Sequence, residues 1–136
     1  MKKILLVGAG SSAALSLKKL YSKNYHFISM SRSEEQSDVD EFDVLNPDTF
    51  LKRDLSYDGI VYFPGTINLK QFSRLSIDDF NKDYEINVLG LINILKFYIP
   101  KLNPGSSVIF FSSVAAKLGM PFHSSVSMVK SAIVGL

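Results

Sequence analysis

The sequence of 136 residues contains no cysteine, which excludes disulfide frameworks, thiolate metal sites and cysteine nucleophiles. Lysine and arginine number 15 against 13 aspartates and glutamates, so the net charge of +2 gives no long-range attraction to nucleic acid or anionic membranes. No run reaches the roughly 18 apolar residues of a membrane helix. We expect neither nucleic acid nor a membrane as a partner. With 46% hydrophobic residues, the composition fits one globular domain over residues 1–136.

The amino terminus has only part of the pattern of a secretory signal. Two lysines precede an apolar run at positions 4–7, but Gly8-Ala9-Gly10 interrupts it. A signal needs about 7–15 continuous apolar residues and a small-residue cleavage site. We therefore predict a buried strand at the amino terminus. The absence of cysteine fits a reducing compartment, so we expect a cytoplasmic protein.

Short apolar runs alternate with amphipathic helical patterns along the whole chain. The runs predict strands near residues 3–7, 25–30, 42–45, 59–63 and 107–111. Helical patterns cover 13–21, 47–52, 76–98 and 124–136, with a polar loop at 31–40 and a turn at 103–105. This alternation predicts an α/β fold with a doubly wound parallel sheet of about five strands and a ligand crevice at their carboxyl ends.

A glycine-rich turn lies between the first predicted strand and the first predicted helix. Residues 8–13 read GAGSSA and match G-x-G-x-x-A, a permitted form of the dinucleotide fingerprint. Gly8 and Gly10 have no Cβ to obstruct a pyrophosphate, and the helix amino terminus attracts anions. Ser11 and Ser12 add hydroxyl donors. The turn predicts nucleotide binding in a Rossmann-type domain, with a plain tight turn as the alternative.

The end of the second strand indicates which nicotinamide cofactor is bound. A site that prefers NAD usually has an acidic residue about 20 residues after the glycines. Met30-Ser31-Arg32 stands there instead. A guanidinium binds a 2′-phosphate in bidentate fashion, whereas a carboxylate repels it. Arg32 therefore favours NADP over NAD, although a solvated surface arginine is an equal alternative.

The order of the motifs resembles the short-chain dehydrogenase/reductase family over essentially the whole chain. Asp43 begins a stretch similar to the family's D-V-x-D, whose first aspartate contacts adenine, and Gly65 is what remains of N-N-A-G. Asn87 begins an N-x-x-G pattern. Residues 108–113 resemble the strand with the catalytic serine, and residues 130–136 resemble the segment that begins with the catalytic lysine.

The resemblance implies hydride transfer between nicotinamide and a small-molecule carbonyl or alcohol. It assigns Ser113 to hydrogen-bond the substrate oxygen, Lys130 to bind the nicotinamide ribose, and Asn87 to hold a water in the proton relay. Val126 occupies the position of the family's acid/base tyrosine and has no proton to transfer. His123 is a possible substitute, although a capping or surface role is the simpler interpretation.

Two functions therefore stay open, and whether the chain is an enzyme is not decided by its sequence. One is an NADP-dependent oxidoreductase; the other is a non-catalytic NADP-binding pseudoenzyme that acts as a cofactor sensor or scaffold. The resemblance also implies that the carboxyl-terminal part of the family fold is absent from these 136 residues. It further implies a homodimer or homotetramer formed through the helices over 76–98 and 124–136.

Overall fold

The computed structural model describes residues 1–32 and 39–136. Within these residues, five parallel strands form one sheet in the order β3-β2-β1-β4-β5. This confirms the predicted α/β class with a doubly wound parallel sheet. The strands are β1 (Lys2–Val7), β2 (Tyr25–Ser31), β3 (Val39–Glu41), β4 (Tyr57–Tyr62) and β5 (Leu102–Phe110).

One α-helix connects β1 to β2, two lie between β4 and β5, and the last follows β5. The α-helices of the described residues are α1 (Ser12–Tyr21), α2 (Ile77–Tyr84), α3 (Gly90–Tyr98) and α4 (Ser124–Val134). None of the helices in this part of the chain is long and apolar enough to cross a membrane. The predicted helix over 76–98 begins at a capping box, in which Ser76 Oγ accepts from the Asp79 N–H at 3.1 Å. It is not one continuous α-helix, because a π-helical turn at Glu85–Leu89 joins α2 to α3.

The sheet divides the core into two clusters because successive side chains of a strand point to opposite faces. Leu5 and Val7 pack on one face with residues of α3 and α4, forming the larger cluster. Leu6 points to the other face, where Leu17 of α1 packs against a smaller cluster. Burial on both faces explains why β1 is a continuous apolar run.

The third strand lies earlier than the sequence predicts. The predicted strand over 42–45 is wrong: β3 is Val39–Glu41, and the chain turns after it. The Asp43 carboxylate accepts from the Leu45 N–H at 2.9 Å, a local bond that competes with strand pairing. Of the predicted loop over 31–40, residues 33–38 lie outside the described residues.

Two other local predictions also need correction. The helix expected over 47–52 is a single 3₁₀ turn at Pro47–Thr49, started by Asn46, whose Oδ1 accepts from the Asp48 N–H at 3.2 Å. The turn expected over 103–105 lies inside β5, next to a register irregularity against β4. Gly105 there has a φ of +79°, a conformation that glycine adopts without strain.

The start of α3 packs very closely against the sheet at Gly90. A Cβ at this position would lie 2.6 Å from Val44 Cγ2 and 2.7 Å from the Tyr62 hydroxyl oxygen. Both neighbours are buried, with Val44 4% and Tyr62 3% exposed, so neither has free space to move into. The absence of a side chain at Gly90 therefore sets the distance between α3 and β4.

We predict that Gly90→Ala destabilises the protein. Overpacking outweighs the improved helix propensity of alanine, and the net loss in the free energy of unfolding should be about 1–2 kcal/mol. Urea unfolding measures it. Gly119→Ala is the matched control, because a Cβ there meets no atom within 4 Å in the described structure. A Gly90→Ala protein as stable as the control would contradict the close packing.

Candidate nucleotide-binding site

The carboxyl ends of β1, β2 and β4 open onto one cleft of about 480 Å³. This volume is within the roughly 300–1,000 Å³ typical of small-molecule sites. The position is the one expected for ligands of open parallel sheets. The lining residues come from the end of β2, from the loops that follow β1, β2, β3 and β4, and from the π turn: Gly8, Gly10, Ser11, Ser31, Arg32, Phe42, Val44, Pro64, Gly65, Thr66 and Ile86.

The glycine turn is anchored on the neighbouring strand. The N–H groups of Gly8 and Ala9 both donate to the Met30 carbonyl, at 2.9 and 3.0 Å. Gly8 has a φ of +79°, and a Cβ there would lie 2.9 Å from Pro64 Cδ. A larger residue at position 8 would therefore be strained and would push the two loops apart. The glycine is needed for the turn itself and for the contact between the loops that follow β1 and β4.

The amino terminus of α1 follows the turn directly. Ser11 is the N-cap, and its Oγ accepts from the Ala14 N–H at 3.2 Å. Ser12 is the exposed first residue of α1 and is not one of the described lining residues of the cleft. The first turn of a helix presents unpaired N–H groups and a positive partial charge, which favour an anion. Gly10 and Ser11 thus bring an anion-binding helix end to the cleft wall.

Arg32 joins the cleft to a neighbouring hollow. The exposed Arg32 lines the cleft and, with Phe42, Asp43 and Thr49, a second cavity of about 500 Å³. The backbone N–H of Asp43 donates to Thr49 Oγ1 at 3.0 Å, which fixes this short loop. The structure therefore places the two residues predicted to contact the adenosine half of a cofactor side by side, beyond β2.

Two further predicted residues meet at Gly65, on the wall of the same cleft. A Cβ at Gly65 would lie 3.1 Å from Asn87 Oδ1 and 3.5 Å from Lys130 Nζ. Lys130 Nζ donates to the Phe111 carbonyl at 2.8 Å, and partial burial lowers the pKa of this lysine. The side chains of α4 and of the π turn thus converge where the backbone of Gly65 leaves room.

Asn87 lies in the π turn and is almost fully buried, at 1% exposure. Its Nδ2 donates to the Asp83 carbonyl at 2.9 Å and to Thr66 Oγ1 at 3.1 Å. Its Oδ1 has no hydrogen-bond partner among the described residues. An unpaired buried carbonyl oxygen is costly, so its presence beside a cleft indicates a donor that a ligand or water would supply.

Tyr62, at the end of β4, stabilises the π turn. Its hydroxyl donates to the Ile86 carbonyl at 2.7 Å. A π turn alters the helical hydrogen-bond ladder, and a side-chain donor can pair with a carbonyl in it. Tyr62 is buried, and this burial raises its pKa, so the hydroxyl keeps the proton that it donates. The bond ties the segment containing Asn87 to the sheet.

The predicted catalytic serine lies beyond the end of β5. Ser113 Oγ accepts from the Ala115 N–H at 3.2 Å and caps a 3₁₀ turn, while Ser112 Oγ donates to the Lys130 carbonyl at 3.0 Å. Val126 is buried, one helical turn before Lys130 on α4. His123 is the N-cap residue of α4, and its Nδ1 lies 2.6 Å from the Pro121 carbonyl oxygen.

Sequence reasoning missed the polar cluster around Asp83. This carboxylate is fully buried and accepts from Thr66 Oγ1 at 2.6 Å and from Ser125 Oγ at 2.5 Å. One signal was present: Asp83 is four residues before Asn87, which places both on one face of a helix. The partners in the loop after β4 and in α4 are distant in sequence, and no local pattern connects them.

Comparison with known proteins relates the chain to reductases. Residues 48–136 match the family model for enoyl-(acyl carrier protein) reductases. Hydroxynaphthalene reductase arp2 of Aspergillus fumigatus is 31% identical over 78 residues, which cover 57% of this chain and 29% of that protein. The chain thus matches less than a third of this curated relative's length. The glycine turn and Arg32 precede the residues that match the family model.

Solved structures resemble the chain over nearly its full length. The protein lin1944 from Listeria innocua covers 99% of this chain and 68% of its own, with a TM-score of 0.87 and 22% identity. A structure of ElxO with NADP bound covers 99% of this chain and 65% of its own, with a TM-score of 0.83 and 18% identity. At these identities the likeness shows the fold alone.

We predict that Lys130 loses its proton below the ordinary lysine pKa of 10.5, because burial disfavours its charged form. An NMR titration that follows the lysine ε-carbons measures the midpoint. The lysine ε-carbon signal that disappears in Lys130→Arg is the one that belongs to Lys130. A midpoint at or above 10.5 would contradict the buried position of the side chain.

Proposed function

Because the chain belongs to the short-chain dehydrogenase/reductase family, we propose that its cleft binds NADP(H) for hydride transfer to or from a small carbonyl or alcohol. One observation is central to the proposal. A single cleft extends from the glycine turn and Arg32 to Gly65, where Asn87 and Lys130 converge. A dinucleotide has a phosphate-rich end and a reactive end, and the cleft offers matching groups at both.

The residues present fit this cofactor. Gly10, Ser11 and the amino terminus of α1 suit a pyrophosphate, and the neighbouring Gly8 and Ser12 are proposed to complete that contact. The Arg32 guanidinium suits a 2′-phosphate, and Asp43 lies next to it in the adjoining hollow, where adenine would bind. At the other end, the unpaired Asn87 Oδ1 accepts from a ligand or water donor.

The reactive end is formed by Lys130, Asn87 and Ser113. When bound, nicotinamide supplies or accepts the hydride. We propose that Lys130 Nζ, at the Gly65 wall, binds the ribose next to it, while Asn87 orients a water. Ser113 Oγ accepts one backbone bond, which leaves its own hydroxyl proton for a substrate oxygen.

A second candidate function rests on Val126. General acid/base catalysis contributes about 10²–10⁴-fold to enzymatic rates, and the buried aliphatic Val126 has no proton for it. Lys130 and Asn87 still converge at Gly65, on the cleft wall. A chain that binds NADP without completing proton transfer would act as a cofactor sensor or a scaffold.

We predict that calorimetric titration detects NADPH binding and that Arg32→Ala weakens it by roughly 10- to 100-fold, the loss of a charge-assisted hydrogen bond. NADH lacks the 2′-phosphate, so its affinity should change little. Arg74→Ala, which removes an exposed arginine outside the cleft lining, is the matched control. Equal losses for NADPH and NADH would contradict the phosphate contact, and no binding of either would contradict the proposed function.

We predict that Val126→Tyr raises the rate of NADPH oxidation over a panel of ketones and quinones by about 10²–10⁴-fold if only the acid/base group is missing. Val126→Phe is the control, because it adds a ring of the same shape without the hydroxyl. A gain in the tyrosine variant alone assigns the effect to proton transfer. No gain, in a variant that folds and binds NADPH, favours the non-catalytic function.

A further inference from the structure

Asp83 is a buried carboxylate with an unusual set of partners. It is 0% exposed at the end of α2, and the partners described for it are neutral. Thr66 Oγ1 donates to its Oδ1 at 2.6 Å, Asn68 Nδ2 donates to Oδ1 at 3.1 Å, and Ser125 Oγ donates to Oδ2 at 2.5 Å. A buried acid is costly unless several donors surround it, so these three bonds hold Thr66, Asn68 and Ser125 close to Asp83.

The three donors come from the two elements that flank the reactive end of the cleft. Thr66 and Asn68 belong to the loop that follows β4, directly after Gly65. Ser125 belongs to α4, next to Val126 and five residues before Lys130. Asp83 itself precedes the π turn. One carboxylate thus connects the loop, the π turn and α4.

The same cluster orients Asn87. The Asn87 amide nitrogen donates to the Asp83 carbonyl at 2.9 Å, and to Thr66 Oγ1 and the Thr66 carbonyl at 3.1 and 3.2 Å. Because the Asn87 Nδ2 donates to Asp83 and Thr66, the Asn87 Oδ1 points the other way, toward Gly65. The bonds that hold the Thr66 hydroxyl to Asp83 therefore also fix the direction of the unpaired oxygen.

We propose that Asp83 is a positioning residue: through Ser125 and Thr66 it sets α4 against the π turn, so that Lys130 Nζ and Asn87 Oδ1 stand together at Gly65. It touches neither cofactor nor substrate. The inference rests on the proposed function, since it assigns Asp83 to the half of the cleft that receives the nicotinamide ribose. The glycine turn and Arg32, at the other half, have no contact with this cluster among the described bonds.

The test compares two ligands on one protein. Calorimetry measures the affinity of NADPH, which spans both halves of the cleft, and of 2′,5′-ADP, which occupies only the half near Arg32. Asp83→Asn removes the acid and replaces one accepting oxygen with an N–H donor, so the bond from Thr66 or Ser125 on that side is lost or must reverse its direction. The NADPH affinity should fall about tenfold or more, as for the loss of one hydrogen bond to a charged group. The affinity of 2′,5′-ADP should stay unchanged.

Two further variants keep the test decisive. Ser125→Ala removes one donor without altering the acid and should reproduce the selective loss if Asp83→Asn does not fold. Asp78→Asn is the matched control, because it makes the same change on an exposed aspartate of α2 that pairs with Lys82. Circular dichroism checks that each variant is folded.

The outcomes separate the two proposals. A selective loss of NADPH affinity supports the positioning role, because general destabilisation would weaken both ligands. Equal losses for NADPH and 2′,5′-ADP, or no loss for either, overturn the positioning role and leave the proposed function standing. Wild-type protein that binds neither ligand overturns both.

Discussion

Parallel pairing of β1 with β2 and β4 places the ends of three strands at one edge of the sheet, and the site depends on that constraint. The N–H groups of Gly8 and Ala9 both donate to the Met30 carbonyl, so the first loop is bound to the second strand. The loop that follows β4 meets the loop that follows β1 where Pro64 lies against Gly8. Backbone geometry therefore assembles the end of the cleft at the glycine turn, and α1 begins directly after that turn.

The sequence predicts the sheet well because burial on both faces leaves long apolar runs that periodicity detects. It fails where local hydrogen bonds decide the backbone. Asp43 bonds the Leu45 N–H and turns a run that is apolar enough for a strand. The π turn inside the predicted helix over 76–98 is equally hidden, because the hydroxyl that stabilises it belongs to Tyr62 on another element.

In the candidate site, too, the sequence predicts some residues and misses others. Local patterns predict the glycine turn and Arg32, and the family resemblance implies Asn87; the structure places all three along the cleft or behind its wall. Neither source predicts the cluster at Asp83, since it joins three segments through side chains that have no shared motif. Val126 remains the residue on which the choice between the two proposed functions depends, because its buried aliphatic side chain has no proton to transfer.

The π turn at Glu85–Leu89 also sets the rotation of α2 relative to α3 about their shared axis. Each residue of an α-helix advances by about 100° around the axis. If residues 85–89 formed regular α-helix with no change in chain length, α2 would rotate by about that angle relative to α3, while Gly90 stayed against Val44. Asp83 would then turn away from Ser125. The extra residue held in the π turn thus lets Asp83 and Gly90 each face their own partners on one nearly continuous helix.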